Sequence, residues 1–334
     1  MRHDVVARLR AAGCVFPEEE ARLLLEAAGL DVPPGRTSPD RQLELPIPQG
    51  AAERDAGTAP PGRAASLEAL DALVTRREAG EPLEHLLGWV ELAGRRWHVG
   101  PGVFVPRQRS ELMVAQALDL VAAGPWCRTA GPTLTVLDLC CGSGAVGGAV
   151  VARLLARAAR RSRTGDGSGD GSGSGDGGKH HPEPAVVLHA ADVDPAATAY
   201  AARNLEPLGG TVHTGDLYSA LPVTLRGTVD LLLCHAPYVP TAALATMPPE
   251  ARDHEPRTAL DGGPDGLDVL RRVVAGAPRW LAPGGSLLFE VGDEHQLTET
   301  TALLGRAGLT PAVVQDDEAG ATVVVGTART SAAA

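Results

Sequence analysis

The chain has 334 residues, enough for one large α/β domain and a smaller companion. Its 30 Lys and Arg against 41 Asp and Glu give a formal net charge of -11, which argues against a phosphate-tracking nucleic-acid surface. No apolar run reaches membrane-span length, and Met1-Arg2-His3-Asp4 carries no apolar stretch of the kind that directs secretion, so no membrane partner is expected.

Val5 to Leu30 is helical in pattern, with Ala21, Leu24, Leu25 and Ala28 at helical spacing. Residues 31–65 are rich in Pro, Gly, Ala and charge and read as a flexible insertion. Ser66 reads as the N-cap of a further helix whose buried stripe is Leu67, Leu70, Leu73 and Val74. Pro82 suits the first turn of a short helix ending near Gly88. These helices, residues 1–88, are expected to form a small domain that presents a macromolecular substrate. Trp89 to Leu92, the Ala93-Gly94 turn and Arg95 to Val99 predict a β-hairpin, and residues 89–109 read as a connector. A helix follows from Ser110.

From Thr133 strand and helix patterns alternate, which predicts a largely parallel sheet with both faces covered. Strands are expected at Leu134 to Leu139, Ala185 to Ala191, Val229 to Cys234 and Ser286 to Val291. Helices are expected at Ala145 to about Arg160, Pro195 to Asn204 and Leu267 to Trp280. Leu309 to Val314 and Thr322 to Gly326 read as a terminal hairpin whose last strand inserts antiparallel. The main domain is thus residues 110–327, with 328–334 as a tail. Residues 162–184 interrupt it with an Asp/Gly/Ser-rich run ending in Lys179-His180-His181. A Gly/Ser linker is preferred there over a calcium loop or a His180-His181 metal site, because neither supplies a closed ligand set. The cysteines Cys14, Cys127, Cys140, Cys141 and Cys234 form no C-x-x-C pair, so no metal site and a reducing cytoplasm are expected.

The chemistry concentrates at strand ends. Asp138-Leu139-Cys140-Cys141-Gly142-Ser143-Gly144-Ala145 is a Gly-rich strand-to-helix turn that departs from the dinucleotide fingerprint. Gly142 and Gly144 let a ligand lie against main chain, and Asp138 favours a cationic ligand portion over a pyrophosphate. That fits the ammonium and sulfonium of S-adenosylmethionine. Asp192, followed by Val193, ends the second strand, where an acid can accept from both ribose hydroxyls. Asp194-Pro195 resembles an N-cap with Pro at the first helical position. Asp216 and Leu217 follow the third strand, where an acid and an apolar side chain could hold adenine. Each acid alone could equally be a cap or turn residue; their order along successive strands strengthens the joint reading.

The fourth strand ends in His235-Ala236-Pro237-Tyr238. With this loop, Glu81 to Gly88, Pro106-Arg107-Gln108-Arg109-Ser110-Glu111, Glu250 to Arg257, and Ala259 to Gly263 with Asp265-Gly266-Leu267, the chain resembles the HemK/PrmC family of protein-glutamine N5-methyltransferases. It especially resembles an actinobacterial-type branch with Asn-Ala-Pro-Tyr. The resemblance implies a Rossmann-like class I S-adenosylmethionine-dependent methyltransferase fold. Asp138 and Cys140 to Gly144 would line the methionine part, with Asp192 and Val193 at ribose, Asp216 and Leu217 at adenine, and His235 beside the methyl. His235, Ala236, Pro237 and Tyr238 would receive the substrate glutamine, expected in a class I peptide release factor, and the enzyme is expected to act as a monomer.

Two positions depart from the family pattern: Cys140 stands for the usual first Gly, and His235 for Asn. A neutral imidazole offers one acceptor and a protonated one none. His235 as a general base toward another substrate, an inactive cofactor-binding paralogue, adenine methylation in nucleic acid and a non-enzymatic scaffold for a release factor are the competing readings.

Overall fold

The computed structural model describes residues 1–30, 63–123, 133–164 and 185–330; the expected insertions and His180-His181 therefore lie mainly or wholly outside the described residues. Four helices come first: α1 (Arg2–Ala11), α2 (Pro17–Ala27), α3 (Arg63–Glu78) and α4 (Leu83–Leu87). The single helical pattern from Val5 to Leu30 is thus two helices. Gly13, at φ +86°, follows the end of α1, and Pro17 occupies the first turn of α2. Ser66 is not an N-cap: α3 starts at Arg63, and Ser66 is a buried residue inside it. Leu70 and Val74 are buried as expected, but Leu67 is 39% exposed and leaves the stripe. With Val5, Leu9, Leu24 and Leu25 they make a hydrophobic cluster of their own.

Strands β1 (Trp89–Leu92) and β2 (Arg95–His98) pair antiparallel around Ala93-Gly94. Trp97 is buried, and a Cβ on Gly148 would lie 2.5 Å from its ring, so the hairpin seats where the next-but-one helix lacks a side chain. That hairpin is followed by α5 (Glu111–Ala123), β3 (Thr133–Leu139), α6 (Ala145–Thr164), β4 (Ala185–Asp192), α7 (Pro195–Leu205), β5 (Thr211–Thr214) and β6 (Val229–Cys234). The short helices α8 (Pro249–His254) and α9 (Arg257–Leu260) precede α10 (Asp268–Gly276), β7 (Leu281–Glu290), α11 (Glu294–Arg306), β8 (Thr310–Asp316) and β9 (Ala321–Thr327).

Among the described residues the main sheet has seven strands in the order β5-β4-β3-β6-β7-β9-β8. Neighbours from β5 through β7 are parallel, and β9 pairs antiparallel with both β7 and β8. Helices cover the sheet, giving the α/β, Rossmann-like class I methyltransferase fold. Apolar strand residues such as Val136, Leu137, Leu231 and Leu232 are fully buried, as strands covered on both faces require. The helix expected to reach Trp280 stops at Gly276 and passes into a tighter turn, Ala277–Arg279, at Pro278. Strand β7 begins earlier than expected. Leu281 pairs with Val229 and Ser286 with Leu231, so Pro283-Gly284-Gly285 forms an irregularity within the strand. Strand order reverses between β3 and β6, which opens a crevice at their carboxyl ends.

Candidate active site

That crevice is lined by Asp138, Cys140 to Ser143, Asp192, Val193, Asp216, Leu217 and His235 to Tyr238, so residues from four strand ends meet there. Gly144 does not line it. It stands one residue behind the turn, where an added Cβ would meet Leu205 at 3.0 Å.

The Gly-rich turn uses left-handed backbone at Cys140 (φ +54°), Gly142 (φ +54°) and Gly144 (φ +74°). The first of these explains why a glycine suits that position and shows that this chain places a cysteine in a strained conformation. Asp192 holds the turn: its Oδ2 accepts from Gly142 N–H at 2.9 Å and its Oδ1 from Asp194 N–H at 3.0 Å. Burial raises its carboxyl above the ordinary range. Asp194 caps α7, accepting from Ala196 N–H, with Pro195 at the first position. Asp138 is buried, accepts from Gly147 N–H at 2.9 Å, and is pushed up to about 7 by burial. Ser143 Oγ is buried with no hydrogen-bond partner among the described residues. Two carboxyls held off their ordinary pKa, an orphaned hydroxyl and open space where a Cβ would stand at Gly142 suit a ligand with a cationic end and hydroxyl donors. These residues fit S-adenosylmethionine. Asp216 is more exposed and pairs with Arg272 at 2.5 Å, while Tyr218 turns away and donates to Val273 carbonyl.

The other end of the crevice is the loop after β6. His235 has an 11% exposed side chain, set edge-on to Phe104 with ring centroids 5.4 Å apart. Burial pulls its pKa below the ordinary histidine value; Glu290 opposes that shift, and Arg109 and Arg107 reinforce it. Burial raises Tyr238. The loop is braced from outside. Gln296, buried on α11, donates to Tyr238 carbonyl at 2.8 Å and accepts from Gly292 N–H. Val239 N–H donates to Leu260 carbonyl, and Gly262 N–H to Val239 carbonyl. A Cβ on Gly262 would come within 2.7 Å of Pro237 carbonyl, and one on Gly266 within 2.2 Å of Tyr238 carbonyl. The Gly262-Gly263 and Asp265-Gly266 segment is therefore a backbone-to-backbone brace for His235 to Tyr238.

Three functional neighbours escaped sequence reasoning as site residues. Arg109 hydrogen-bonds Tyr238 Oη and lies 3.6 Å from Glu290. Glu290 ends β7, 3.6 Å from His235 Nε2. Asn204 donates to the carbonyls of His98 and Ser143, tying the β1–β2 hairpin to the Gly-rich turn. Arg109 lies within the Pro106-to-Glu111 segment that carries the family resemblance; the other two carry no local signal. Arg107 clasps Glu255, donating to its oxygens at 2.7 and 2.8 Å, and so joins the approach to α5 to the segment after the loop.

No family model matches the chain. Its sequence is 34% identical over 262 residues to the release factor glutamine methyltransferase of Geobacter sulfurreducens, covering 78% of each chain. It is 31% identical over 323 residues to the release factor glutamine methyltransferase of Mycolicibacterium smegmatis, covering 94% of this chain and 91% of that one. It is also 34% identical over 235 residues to the 4-amino-L-phenylalanine/4-methylamino-L-phenylalanine methyltransferase of Streptomyces pristinaespiralis, covering 70% and 69%. With this extent of identity and this sheet, the chain belongs to the release factor glutamine methyltransferase (HemK/PrmC) family, and its methyl donor is S-adenosylmethionine.

Proposed function

We propose that the protein methylates the side-chain amide nitrogen of a glutamine in a class I peptide release factor, acting as a monomer. The observation that carries this is the buried His235-Ala236-Pro237-Tyr238 loop facing the Gly-rich turn across one crevice. S-adenosylmethionine supplies an electrophilic methyl on a sulfonium that leaves as a neutral thioether. Asp138 and Ser143 would hold the ammonium-bearing end, Asp192 the ribose, and Leu217 with Asp216 the adenine.

An amide nitrogen is a poor nucleophile because its lone pair is delocalised into the carbonyl. Two acceptors on its N–H bonds orient it and stabilise the charge that grows as it becomes tetrahedral. Ala236 carbonyl is one and neutral His235 the other. These two acceptors would keep the nitrogen turned toward the cofactor's methyl, and the methylated nitrogen would lose its extra proton to solvent. Tyr238 packs along the glutamine's aliphatic part. Residues 1–88 serve as the unit that docks the protein substrate. The Arg77 guanidinium of α3, paired with Glu20 at 2.7 Å and 3.5 Å from Glu250 of α8, ties that unit to the segment behind the loop.

Incubation with isotopically labelled S-adenosylmethionine and a bacterial release factor, followed by mass spectrometry, tests this. A methylated glutamine is expected; label only on nucleic acid or on small molecules overturns it. A second reading has a specific observation in its favour: His235 sits beside the Glu290 carboxyl, as a general base would, and a relative carries an arylamine substrate in its name. Its test is the same incubation with a panel of aryl and alkyl amines.

A further inference from the structure

Strand register puts a carboxyl behind the methyl-acceptor loop. Cys234, the last residue of β6, pairs with Phe289 of the parallel strand β7, so His235, one residue past the end of β6, comes beside Glu290, the last residue of β7. Glu290 is 3% exposed and does not line the crevice. Its Oε2 lies 3.6 Å from His235 Nε2 and 3.6 Å from Arg109 Nε, and its Oε1 is buried with no hydrogen-bond partner among the described residues. Such a group is costly to bury unless a donor serves it. The imidazole and the guanidinium are the donors beside this carboxyl, both nearest its other oxygen, Oε2, and a closure of about 0.5 Å brings Nε2 within hydrogen-bond range of it.

A neutral imidazole carries one N–H, and the other nitrogen carries the lone pair. A lone pair facing a carboxylate is repelled, whereas an N–H facing it is attracted. We infer that Glu290 is a positioning residue that holds His235 as the Nε2–H tautomer, leaving Nδ1 as the acceptor for a substrate N–H. Through Arg109, which hydrogen-bonds Tyr238 Oη, the same carboxyl anchors both ends of the His235 to Tyr238 loop. It acts through His235 and Arg109, not on substrate. The inference rests on the proposed acceptor role of His235, and it supplies what a histidine in place of an amide requires: an amide oxygen is always an acceptor, whereas an imidazole must be told which nitrogen to leave bare.

The test has two arms. In the parent protein, ¹⁵N NMR with labelled histidine is expected to show His235 protonated at Nε2 and bare at Nδ1. Glu290→Gln, whose amide can donate as well as accept, is expected to shift population toward Nδ1–H. A parent His235 protonated at Nδ1 overturns the inference, and this arm needs no substrate, so it decides even if glutamine is not methylated. In the kinetic arm, Glu290→Gln is expected to lower kcat on the order of 10-fold with cofactor Kd within about twofold. In a His235→Asn background the same change is expected to cost less than about twofold, because an asparagine oxygen has no tautomer to select. An equal loss in both backgrounds means that Glu290 is merely structural and overturns the inference.

Discussion

The two ends of the crevice are built in different ways. The cofactor end is local: Asp138, the turn from Cys140 to Gly144 and Asp192 sit at the ends of two hydrogen-bonded strands, and Asp192 accepts directly from the turn's own Gly142 N–H. The substrate end is assembled from afar. Phe104, Arg107 and Arg109 precede α5, His235 to Tyr238 follow β6, Glu255 and Gly262 to Gly266 come next, and Glu290 and Gln296 flank the end of β7. The proposed cofactor end draws on the ends of strands β3, β4 and β5, which adjoin in the sheet, whereas the proposed substrate end is made of side chains from segments scattered along the chain. Changes at the two ends should therefore separate in binding and in rate.

The largest separation is expected at His235. His235→Ala removes an acceptor from the nitrogen and should lower kcat by roughly 10²–10³-fold, with cofactor affinity within about twofold. Steady-state kinetics with calorimetry measures both, and a loss that falls on cofactor Kd would erase the distinction between the ends. Asp192→Ala should do the reverse. It removes the acceptors proposed for the ribose together with those that hold Gly142 and Asp194 N–H, and is expected to cost cofactor binding about 1–3 kcal/mol, read by calorimetry.

pH sharpens the comparison, because the two ends titrate in different parameters. Burial lowers His235 below the ordinary ~6.5, with Glu290 of β7 opposing and Arg107 and Arg109 reinforcing, and Tyr238 as the remaining titratable neighbour. Only neutral imidazole accepts, so kcat at saturating cofactor should hold above that pKa and fall as pH drops through it. His235→Asn should flatten this limb while retaining glutamine methylation; if it is as damaging as His235→Ala, the general-base reading replaces the acceptor reading. At the other end, Asp138 is pushed up to about 7 by burial, and a cation binds its ionised form. Cofactor affinity should then weaken below pH 7, up to about tenfold per unit, and Asp138→Asn should remove the part of that dependence centred near 7, leaving what Asp192 contributes.

The smallest effect concerns Cys140. At φ +54°, a β-branched residue is worse placed than cysteine, and glycine is relieved of strain. Cys140→Val should lower unfolding stability by about 1–2 kcal/mol. Cys140→Gly should leave it within about 1 kcal/mol, since strain relief is offset by the entropy of an added glycine. Denaturant unfolding of the three proteins checks the order.

Much of the architecture was legible in the chain itself. Strands covered on both faces read as apolar runs, and Leu134 to Leu139 and Val229 to Cys234 stand where the pattern put them. Punctuation was legible too: Asp194-Pro195 caps α7, and Gly88 closes α4 in left-handed backbone. The structure departs from the apolar pattern at local punctuation and on one helix face. Gly13 and Pro17 divide the first helical stretch, and Ser66 faces inward one turn inside α3.

By itself the sequence determined the strand–helix alternation, the Gly-rich turn, the acids at successive strand ends and the unusual histidine, because each is written in neighbouring residues and obeys local backbone physics. Register and long-range packing decided the rest. Cys234 pairs with Phe289 rather than with a residue one step away, and that alone sets Glu290 against His235. Folding likewise turned Gln296, Gly262 and Gly266 into the brace of a loop distant in sequence. Such contacts depend on which strands adjoin and in what register, and they come from the whole chain minimising buried polar cost, which no short stretch records.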